Sequence, residues 1–221
     1  NPSVWVLISA FLVGLPNTGK TTLFNQLTGA YFKVGNWSGV TVAAHKVNRQ
    51  YQGKGYEILD LPGILSTYDS SEQVDYQLCR SQIQAADVII NVIDGRFLQR
   101  DLVLTLQLLC YQKPIISVIT HMEEVTIDEQ SVLAAVPCQA VVSNGIRFTD
   151  LLDLVNTSQP VDFDHIIEWP IGFCKIWKSI DSPPSEKLAY LVSDRCRQQH
   201  TVGDHEEPID VLIAEGFYQT A

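Results

Sequence analysis

The sequence has few basic residues and lacks any hydrophobic run long enough to span a membrane. Lys and Arg number 15 against 25 Asp and Glu in 221 residues, so the formal net charge is −10. Binding along a nucleic acid requires clustered cations, and we therefore expect no nucleic-acid partner. The apolar stretch 4–15 has no basic residue before it. It is too short to cross a bilayer, so it predicts neither a transmembrane helix nor a signal peptide.

Closely spaced cysteine or histidine ligands are also missing. His200 and His205, the closest histidines, enclose Gly203 and suit a loop better than a metal site, so we expect no structural metal. Scattered cysteines without a C-x-x-C pair favour buried, reduced thiols in a cytosolic protein. The five are Cys79, Cys110, Cys138, Cys174 and Cys196.

What the sequence does contain is a complete phosphate-binding loop, Gly14-x4-Gly19-Lys20-Thr21. It follows an apolar run and leads into a segment that predicts a helix closed by Gly29. Glycines let successive backbone N–H groups turn around phosphate oxygens, and the N-terminal end of the helix adds its positive dipole. We expect Lys20 to reach the outer phosphates and the Thr21 hydroxyl to bind Mg²⁺. The alternative is a glycine-rich turn without a ligand.

A loop rich in glycine, residues 33–42, follows the predicted helix and carries Thr41. Such a composition is typical of a mobile loop. In phosphate-loop switch proteins a loop threonine closes over Mg²⁺ and the γ-phosphate, and Thr41 lies at a suitable distance along the chain for that role. We therefore predict that Thr41 is a switch residue. The alternative is that it only opens the strand 42–49.

A second apolar strand, 56–59, ends in Asp60-Leu-Pro-Gly63. A carboxylate at the end of a buried strand can hold Mg²⁺ through water, and Gly63 can offer its backbone N–H to the γ-phosphate. The next residue is Ile64, where many such switches carry a glutamine that orients the attacking water. Because an aliphatic side chain cannot orient water, we expect hydrolysis to be slow or assisted from elsewhere.

Strands and helices alternate along the chain up to residue 156. The run 88–93 is continuously apolar, as in strands of a parallel sheet buried on both faces. The alternation predicts an α/β fold with a doubly wound, mostly parallel sheet. Predicted strands are 10–13, 42–49, 56–59, 88–93, 114–120 and 139–143, and predicted helices are 21–27, 70–86, 94–111, 127–135 and 149–156. One face of the helix 94–111 carries Leu98, Leu102, Leu106 and Leu109.

The composition changes after Pro160. Prolines punctuate segments without strand alternation, while 185–199 and 208–217 carry apolar residues at helical spacing. We predict a first domain over 1–158 and a small all-helical subdomain over 159–221. The alternative is that these helices are outer helices of the first domain.

The motifs together resemble the cytosolic GTP-binding domain of bacterial ferrous-iron transporters, the FeoB family. The segments that carry the likeness are Gly14-x-Pro-Asn-Thr-Gly-Lys-Thr-Thr-Leu-Phe-Asn25, Val34-Gly-Asn-Trp-Ser-Gly-Val-Thr-Val42, Asp60-Leu-Pro-Gly63, Asn91-Val-Ile-Asp-Gly-x-x-Leu-x-Arg100, Leu104-Thr-Leu-Gln-Leu108 and Leu212-Ile-Ala-Glu-Gly-Phe-Tyr-Gln219. The resemblance implies a phosphate-loop GTPase fold, with GTP or GDP and Mg²⁺ as cofactors. It implies a transmembrane permease region of the same polypeptide as partner, at the cytoplasmic face of the bacterial inner membrane. The resemblance leaves open whether the chain forms a homo-oligomer.

The resemblance also implies roles for individual residues. Nucleotide contacts fall on Gly14, Asn17, Thr18, Gly19, Lys20, Thr21, Thr22, Thr120, Glu123, Ser143 and Asn144. Mg²⁺ ligands fall on Thr21, Thr41 and Asp60, a potassium ion on Asn17, and hydrolysis on Lys20, Asn17, Thr41 and Gly63. A potassium ion there could offset transition-state charge as an arginine finger does. The alternative is that Asn17 only hydrogen-bonds to the loop backbone.

Two departures from the family concern the nucleobase. Its guanine-reading Asn-x-x-Asp falls here on Thr120-His-Met-Glu123, so the amide is lost and the carboxylate stem is one methylene longer. The other base-side loop, which in the family has Ser-Ala or Ser-Thr, is Ser143-Asn144. Both departures predict weakened guanine specificity, while the phosphate-binding residues are intact.

Three functions agree with these features. The first is a slow GTPase switch whose loops, ordered by γ-phosphate and Mg²⁺, regulate ferrous-iron transport through the helical subdomain. The second is a nucleotide-sensing module with weak base preference that acts by occupancy rather than turnover. The third, a soluble phosphate-loop ATPase or small-molecule kinase, is disfavoured because no acidic or basic lid segment for a phosphoryl acceptor is found.

Overall fold

The computed structural model describes residues 7–32, 45–64 and 74–161. Its strands are β1 Leu7–Gly14, β2 His45–Tyr51, β3 Lys54–Asp60, β4 Val88–Asp94, β5 Ile115–Thr120 and β6 Gln139–Val142. They form one sheet in the order β2-β3-β1-β4-β5-β6. All neighbouring pairs are parallel except β2 with β3, which are antiparallel at one edge. The predicted mostly parallel sheet is confirmed.

The helices are α1 Lys20–Thr28, α2 Val74–Ala85, α3 Leu98–Leu109, α4 Glu129–Ala134 and α5 Phe148–Thr157, with short 3-10 turns at Gly95–Phe97 and Met122–Glu124. Gly29 ends α1 with a φ of 69°, as its place in the sequence predicted. The predicted helix start at Asp94 is wrong. Asp94 is the last residue of β4, and its carboxylate accepts a hydrogen bond from the backbone N–H of Arg96 at 3.0 Å. This bond caps the 3-10 turn, so α3 begins only at Leu98.

Alternate residues of β1 enter two different buried clusters, one on each face of the sheet. Phe11 and Val13 pack in the cluster that includes residues of α2 and α3. Ala10 and Leu12 pack in the cluster that includes residues of α1 and α5. This alternation follows the two-residue period of a strand, and it explains why helices cover both faces. The predicted apolar face of α3 is confirmed by buried Leu102, Leu106 and Leu109 and partly buried Leu98.

The cysteines within the described ranges have free thiols: Cys79 and Cys110 are buried and Cys138 is half-buried. Burial raises the pKa of Cys110 to about 12 and that of Cys138 to about 11, so both stay protonated at neutral pH. Cys174, Cys196, the two closest histidines and the predicted helices of the subdomain lie outside the described residues. Within residues 7–32, 45–64 and 74–161, no helix is long and apolar enough to cross a membrane.

The carboxyl ends of the parallel strands meet at one edge of the sheet. β1 ends at Gly14, β3 at Asp60, β4 at Asp94 and β5 at Thr120. Open α/β sheets bind ligands at this edge because the loops that follow the strands converge there. The fold therefore brings the phosphate-binding loop and the two predicted base-side segments to one place.

Candidate functional site

The phosphate-binding loop joins β1 to α1 and is closed by its own contacts. The Thr18 hydroxyl donates to the carbonyl oxygen of Leu15 at 3.1 Å, and Gly19 has a φ of 80°, which side-chain-bearing residues rarely adopt. A Cβ on Gly14 would lie 2.7 Å from the carbonyl oxygen of Val92, so a side chain cannot be placed there without a backbone shift. The loop backbone is therefore held at the N-terminal end of α1, where anions bind.

A buried ion pair links this loop to the end of β3. The Lys20 ammonium lies 2.8 Å from Oδ1 of Asp60, and the Thr21 hydroxyl donates to Oδ2 at 2.7 Å. Lys20 is 6% exposed and Asp60 0%. His45 lies opposite Asp60 in the antiparallel register of β2 and β3, with Nδ1 3.4 Å from Oδ2. The structure thus brings together three of the predicted site residues and adds His45.

The oxygen atoms of this cluster fit a magnesium ion. Mg²⁺ prefers carboxylate and hydroxyl oxygens and is usually completed by water and substrate phosphates. The hydroxyl of Thr21 lies 2.7 Å from Oδ2 of Asp60, at the point where the first turn of α1 meets the end of β3. Thr41, the third predicted ligand, lies outside the described residues.

The segment after Asp60 packs directly on the phosphate-binding loop. A Cβ on Gly63 would lie 2.8 Å from the Cα of Pro16, and the backbone N–H of Ile64 donates to the carbonyl oxygen of Gly14 at 3.1 Å. The Ile64 side chain is 3% exposed and belongs to a buried apolar cluster. Position 64 therefore presents no polar group at the phosphate end of the site.

Thr120, predicted to contact the nucleobase, is tied to the phosphate-binding loop. Its hydroxyl lies 2.7 Å from the carbonyl oxygen of Thr18 and 3.1 Å from that of Ile93, and the side chain is buried. A hydroxyl has a single hydrogen to donate. That hydrogen is used on the protein's own backbone, so Thr120 acts first as a link between β5 and the loop.

The other predicted contact residues lie around the same edge. Glu123 is exposed, and within the described ranges its carboxylate makes no hydrogen bond or ion pair. The backbone N–H of Ser143 donates to the carbonyl oxygen of Ile119 at 2.8 Å, and Asn144 beside it is exposed. Thr22 is exposed in the first turn of α1. Asn17 is exposed with a φ of 66°, and its side chain forms no hydrogen bond in the described part of the chain.

Sequence reasoning missed four polar residues at this edge: His45, Asp94, Arg96 and His121. Asp94 ends a buried strand as Asp60 does, and that shared position could have identified it. Burial raises the pKa of Asp94, but hydrogen bonds from the side chain and backbone of Arg96, with His121 nearby, outweigh burial and lower the pKa below its usual value. The other three carry no sequence signal, because their contacts depend on strand pairing and turn conformation.

Known proteins resemble this chain in sequence. A family model described as ferrous iron transport protein B matches residues 8–150. The Fe(2+) transporter FeoB of Salmonella typhimurium is 41% identical over 139 residues, which cover 59% of this chain and 18% of that protein. The chain thus spans less than a fifth of the length of this curated relative.

Solved structures resemble it in fold. The cytosolic domain of the T. maritima FeoB iron transporter in its apo form is 27% identical, covers 96% of this chain and 95% of that chain, and superposes with a TM-score of 0.70. A GDP form of that domain is also 27% identical, covers 97% and 95%, and has a TM-score of 0.69. NFeoB from S. thermophilus, bound to GDP.AlF4- and K+, is 21% identical, covers 96% of each chain and has a TM-score of 0.67, a likeness that shows the fold alone.

Proposed function

The chain belongs to the family of ferrous iron transport protein B, the FeoB family, and from that membership we propose that it binds guanine nucleotides with Mg²⁺ and hydrolyses GTP slowly. The observation that carries the proposal is the convergence of Lys20 and Thr21 on the buried carboxylate of Asp60, at 2.8 and 2.7 Å. An ammonium group at the N-terminal end of a helix can hold nucleotide phosphates, and a hydroxyl with a carboxylate beside it can hold Mg²⁺. The GDP form of the T. maritima domain supports a guanine nucleotide.

Binding requires the ion pair between Lys20 and Asp60 to rearrange. A phosphate anion competes with Asp60 for the Lys20 ammonium, which then neutralises the outer phosphates. Thr21 and Asp60 are left to hold Mg²⁺, which when bound neutralises charge on the phosphate oxygens. Gly63, held against Pro16, offers its backbone N–H to the γ-phosphate, and Thr41 closes over the same group.

Slow hydrolysis follows from the absence of a water-orienting side chain at position 64. Ile64 is buried in the apolar core and cannot reach an attacking water. The proposal therefore assigns hydrolysis to charge neutralisation by Lys20, to Mg²⁺ and to a potassium ion at Asn17. The exposed Asn17 amide, which makes no hydrogen bond in the described ranges, supports that potassium role over a purely structural one.

We predict that GTP hydrolysis by this chain is about tenfold faster in potassium than in sodium salt, because a correctly sized cation beside the phosphates offsets transition-state charge. Initial rates of phosphate release at equal ionic strength measure the effect. Asn17→Ala should remove the stimulation and keep GDP binding, whereas Gln26→Ala, at an exposed position of α1, should behave like the unaltered chain. Equal rates in the two salts would contradict the potassium role.

The wider role is a switch on transport. The proposed partner is the transmembrane permease region of the same polypeptide at the cytoplasmic face of the bacterial inner membrane, and the proposed signal passes through the helical subdomain over 159–221. The support is membership in a family of Fe(2+) transporters, together with solved relatives that are cytosolic domains.

One observation favours the second function, a nucleotide sensor with relaxed base preference. The Thr120 hydroxyl is engaged by the carbonyl oxygens of Thr18 and Ile93, so the residue in place of the family's asparagine has no free donor for a base. Occupancy rather than turnover would then carry the signal.

Heat stability with different nucleotides tests the proposed function. At a ligand concentration about a hundred times the Kd, binding to the folded state adds about 2.7 kcal/mol. For a chain of this size the Tm rises by on the order of 5–10 °C. We expect GDP and GTP with Mg²⁺ to raise the Tm. A shift with GTP and ATP alike favours the sensor with relaxed preference, and a Tm that no nucleotide changes would refute nucleotide binding.

A further inference from the structure

Two adjacent carboxylates, Glu123 and Glu124, lie in the 3-10 turn that follows β5, and their surroundings differ. The Arg96 guanidinium holds Glu124, with Nη1 3.1 Å from both Oε1 and Oε2. Glu123 is exposed and has no hydrogen-bond partner in the ranges that the structure describes. Only Glu123 is therefore available to a ligand without breaking an existing contact.

Arg96 is itself fixed from the opposite side by Asp94. Its Nε lies 3.0 Å from Oδ1 and its Nη2 2.9 Å from Oδ2 of Asp94, which is 1% exposed. The backbone N–H of Asp94 donates to Oδ2 of buried Asp101 at 2.8 Å. In the pairing of β4 with β5, Asp94 lies beside Thr120. The guanidinium thus joins the end of one strand to the turn that follows its neighbour.

The start of the same turn is held independently. His121 adopts a φ of 56°, and its Nδ1 lies 3.0 Å from the Thr120 hydroxyl and 3.5 Å from Oδ1 of Asp94. Its ring lies close to the phosphate-binding loop, since a Cβ on Gly19 would be 3.3 Å from Cε1. The turn is therefore clamped at both ends, by His121 and by Glu124, with Glu123 between them.

We propose that Arg96 is a positioning residue for nucleobase recognition: by clamping Glu124 to Asp94 it sets the turn so that Glu123 presents its carboxylate to the guanine edge. This inference rests on the proposed guanine-nucleotide binding. A long carboxylate stem loses more rotational freedom on binding than a short one, so a rigid turn beneath it matters more here. The side chains of this pair are accessible to solvent, with 32% of Arg96 and 52% of Glu124 exposed. Ion pairs at such positions add little to folding stability. The pair is therefore better suited to orienting the turn that carries Glu123 than to stabilising the fold.

The test compares GDP with IDP. The base of IDP lacks the exocyclic 2-amino group, which in GDP can donate a hydrogen bond to a carboxylate. The full 221-residue chain is titrated with each fluorescent-labelled nucleotide, and the ratio of the two Kd values is measured. Arg96→Ala should lower the preference for GDP over IDP about three- to tenfold, mainly through a weaker Kd for GDP. Glu124→Gln should lower it equally, and the double variant should lower it no further.

Arg49→Ala is the matched control. It removes a guanidinium that donates to the carbonyl oxygen of Thr28 at 2.7 Å, on a strand at the opposite edge of the sheet, and should leave the ratio unchanged. Because both Kd values come from one preparation, partial unfolding cancels in their ratio. Equal weakening of GDP and IDP, or an unchanged ratio in Arg96→Ala, would overturn the positioning role. No preference for GDP over IDP in the unaltered chain would overturn it too, whereas no GDP binding at all would overturn the proposed function with it.

Discussion

Lys20→Ala should weaken GDP and GTP binding about a hundredfold, because the outer phosphates lose a charge-assisted hydrogen bond. In the structure Lys20 is buried at the N-terminal end of α1, and its ammonium lies 2.8 Å from Oδ1 of Asp60. No other lysine or arginine lies within 4.0 Å of that carboxylate in the described ranges. Titration with fluorescent-labelled GDP in the presence of Mg²⁺ measures the Kd. An unchanged Kd for GDP in Lys20→Ala would contradict the assignment of residues 14–21 as a phosphate-binding loop.

The same substitution also lowers the stability of the fold, and the experiment must separate this loss from the loss of nucleotide affinity. Removing one partner of a buried ion pair can destabilise a fold by about 3–5 kcal/mol, but Thr21 and His45 still contact Asp60, so we expect a smaller loss. The Tm of the nucleotide-free variant reports it. Thr21→Ala is the matched comparison, since it alters the same cluster without removing a charge. It should lower the dependence of GDP affinity on Mg²⁺ concentration and leave the affinity in EDTA nearly unchanged.

Thr120→Asn combined with Glu123→Asp should tighten GDP binding about 10- to 100-fold and restore preference for GTP over ATP, because each well-matched buried polar contact is worth about 1–3 kcal/mol. The Thr120 hydroxyl uses its one hydrogen on the backbone. An asparagine amide has two N–H groups and a carbonyl oxygen. It can keep the bond to Thr18 and still offer groups to the base, while aspartate brings a shorter, stiffer carboxylate.

The single variants separate these effects. Thr120→Val keeps the shape of the side chain and removes the hydroxyl, so it should lower stability through loss of the link to Thr18. It should not alter the ratio of GTP to ATP affinity, because the hydroxyl is not free for the base. Competition titrations with GDP, ATP and xanthine nucleotides measure the preference. If the natural chain already prefers GTP over ATP by several decades, or if the double change has no effect, other residues bind the base and the alignment of Thr120 and Glu123 with the family is wrong.

The sequence by itself indicated a mostly parallel α/β sheet, most of the succession of strands and helices along the chain, and the phosphate-binding loop between β1 and α1. Apolar runs alternating with helical segments specify strands buried on both faces. The motif from Gly14 to Thr21 and the acidic residue that ends β3 are local patterns, each set by glycine conformation or by a strand terminus. Because parallel strands bring their carboxyl ends to one edge, these patterns predicted that Lys20, Thr21 and Asp60 lie near one another, and the pairing of β1 with β3 brings them into contact.

Only the tertiary structure decided what the base-side residues contact. Thr120 meets Thr18 across 102 residues of sequence and Arg96 meets Glu124 across 28. The pairing of His45 with Asp60 depends on the antiparallel register of an edge strand. Such contacts depend on register, on a left-handed turn at His121 and on the burial of Asp94. These are cooperative properties of the packed chain, so no local pattern of residues specifies them.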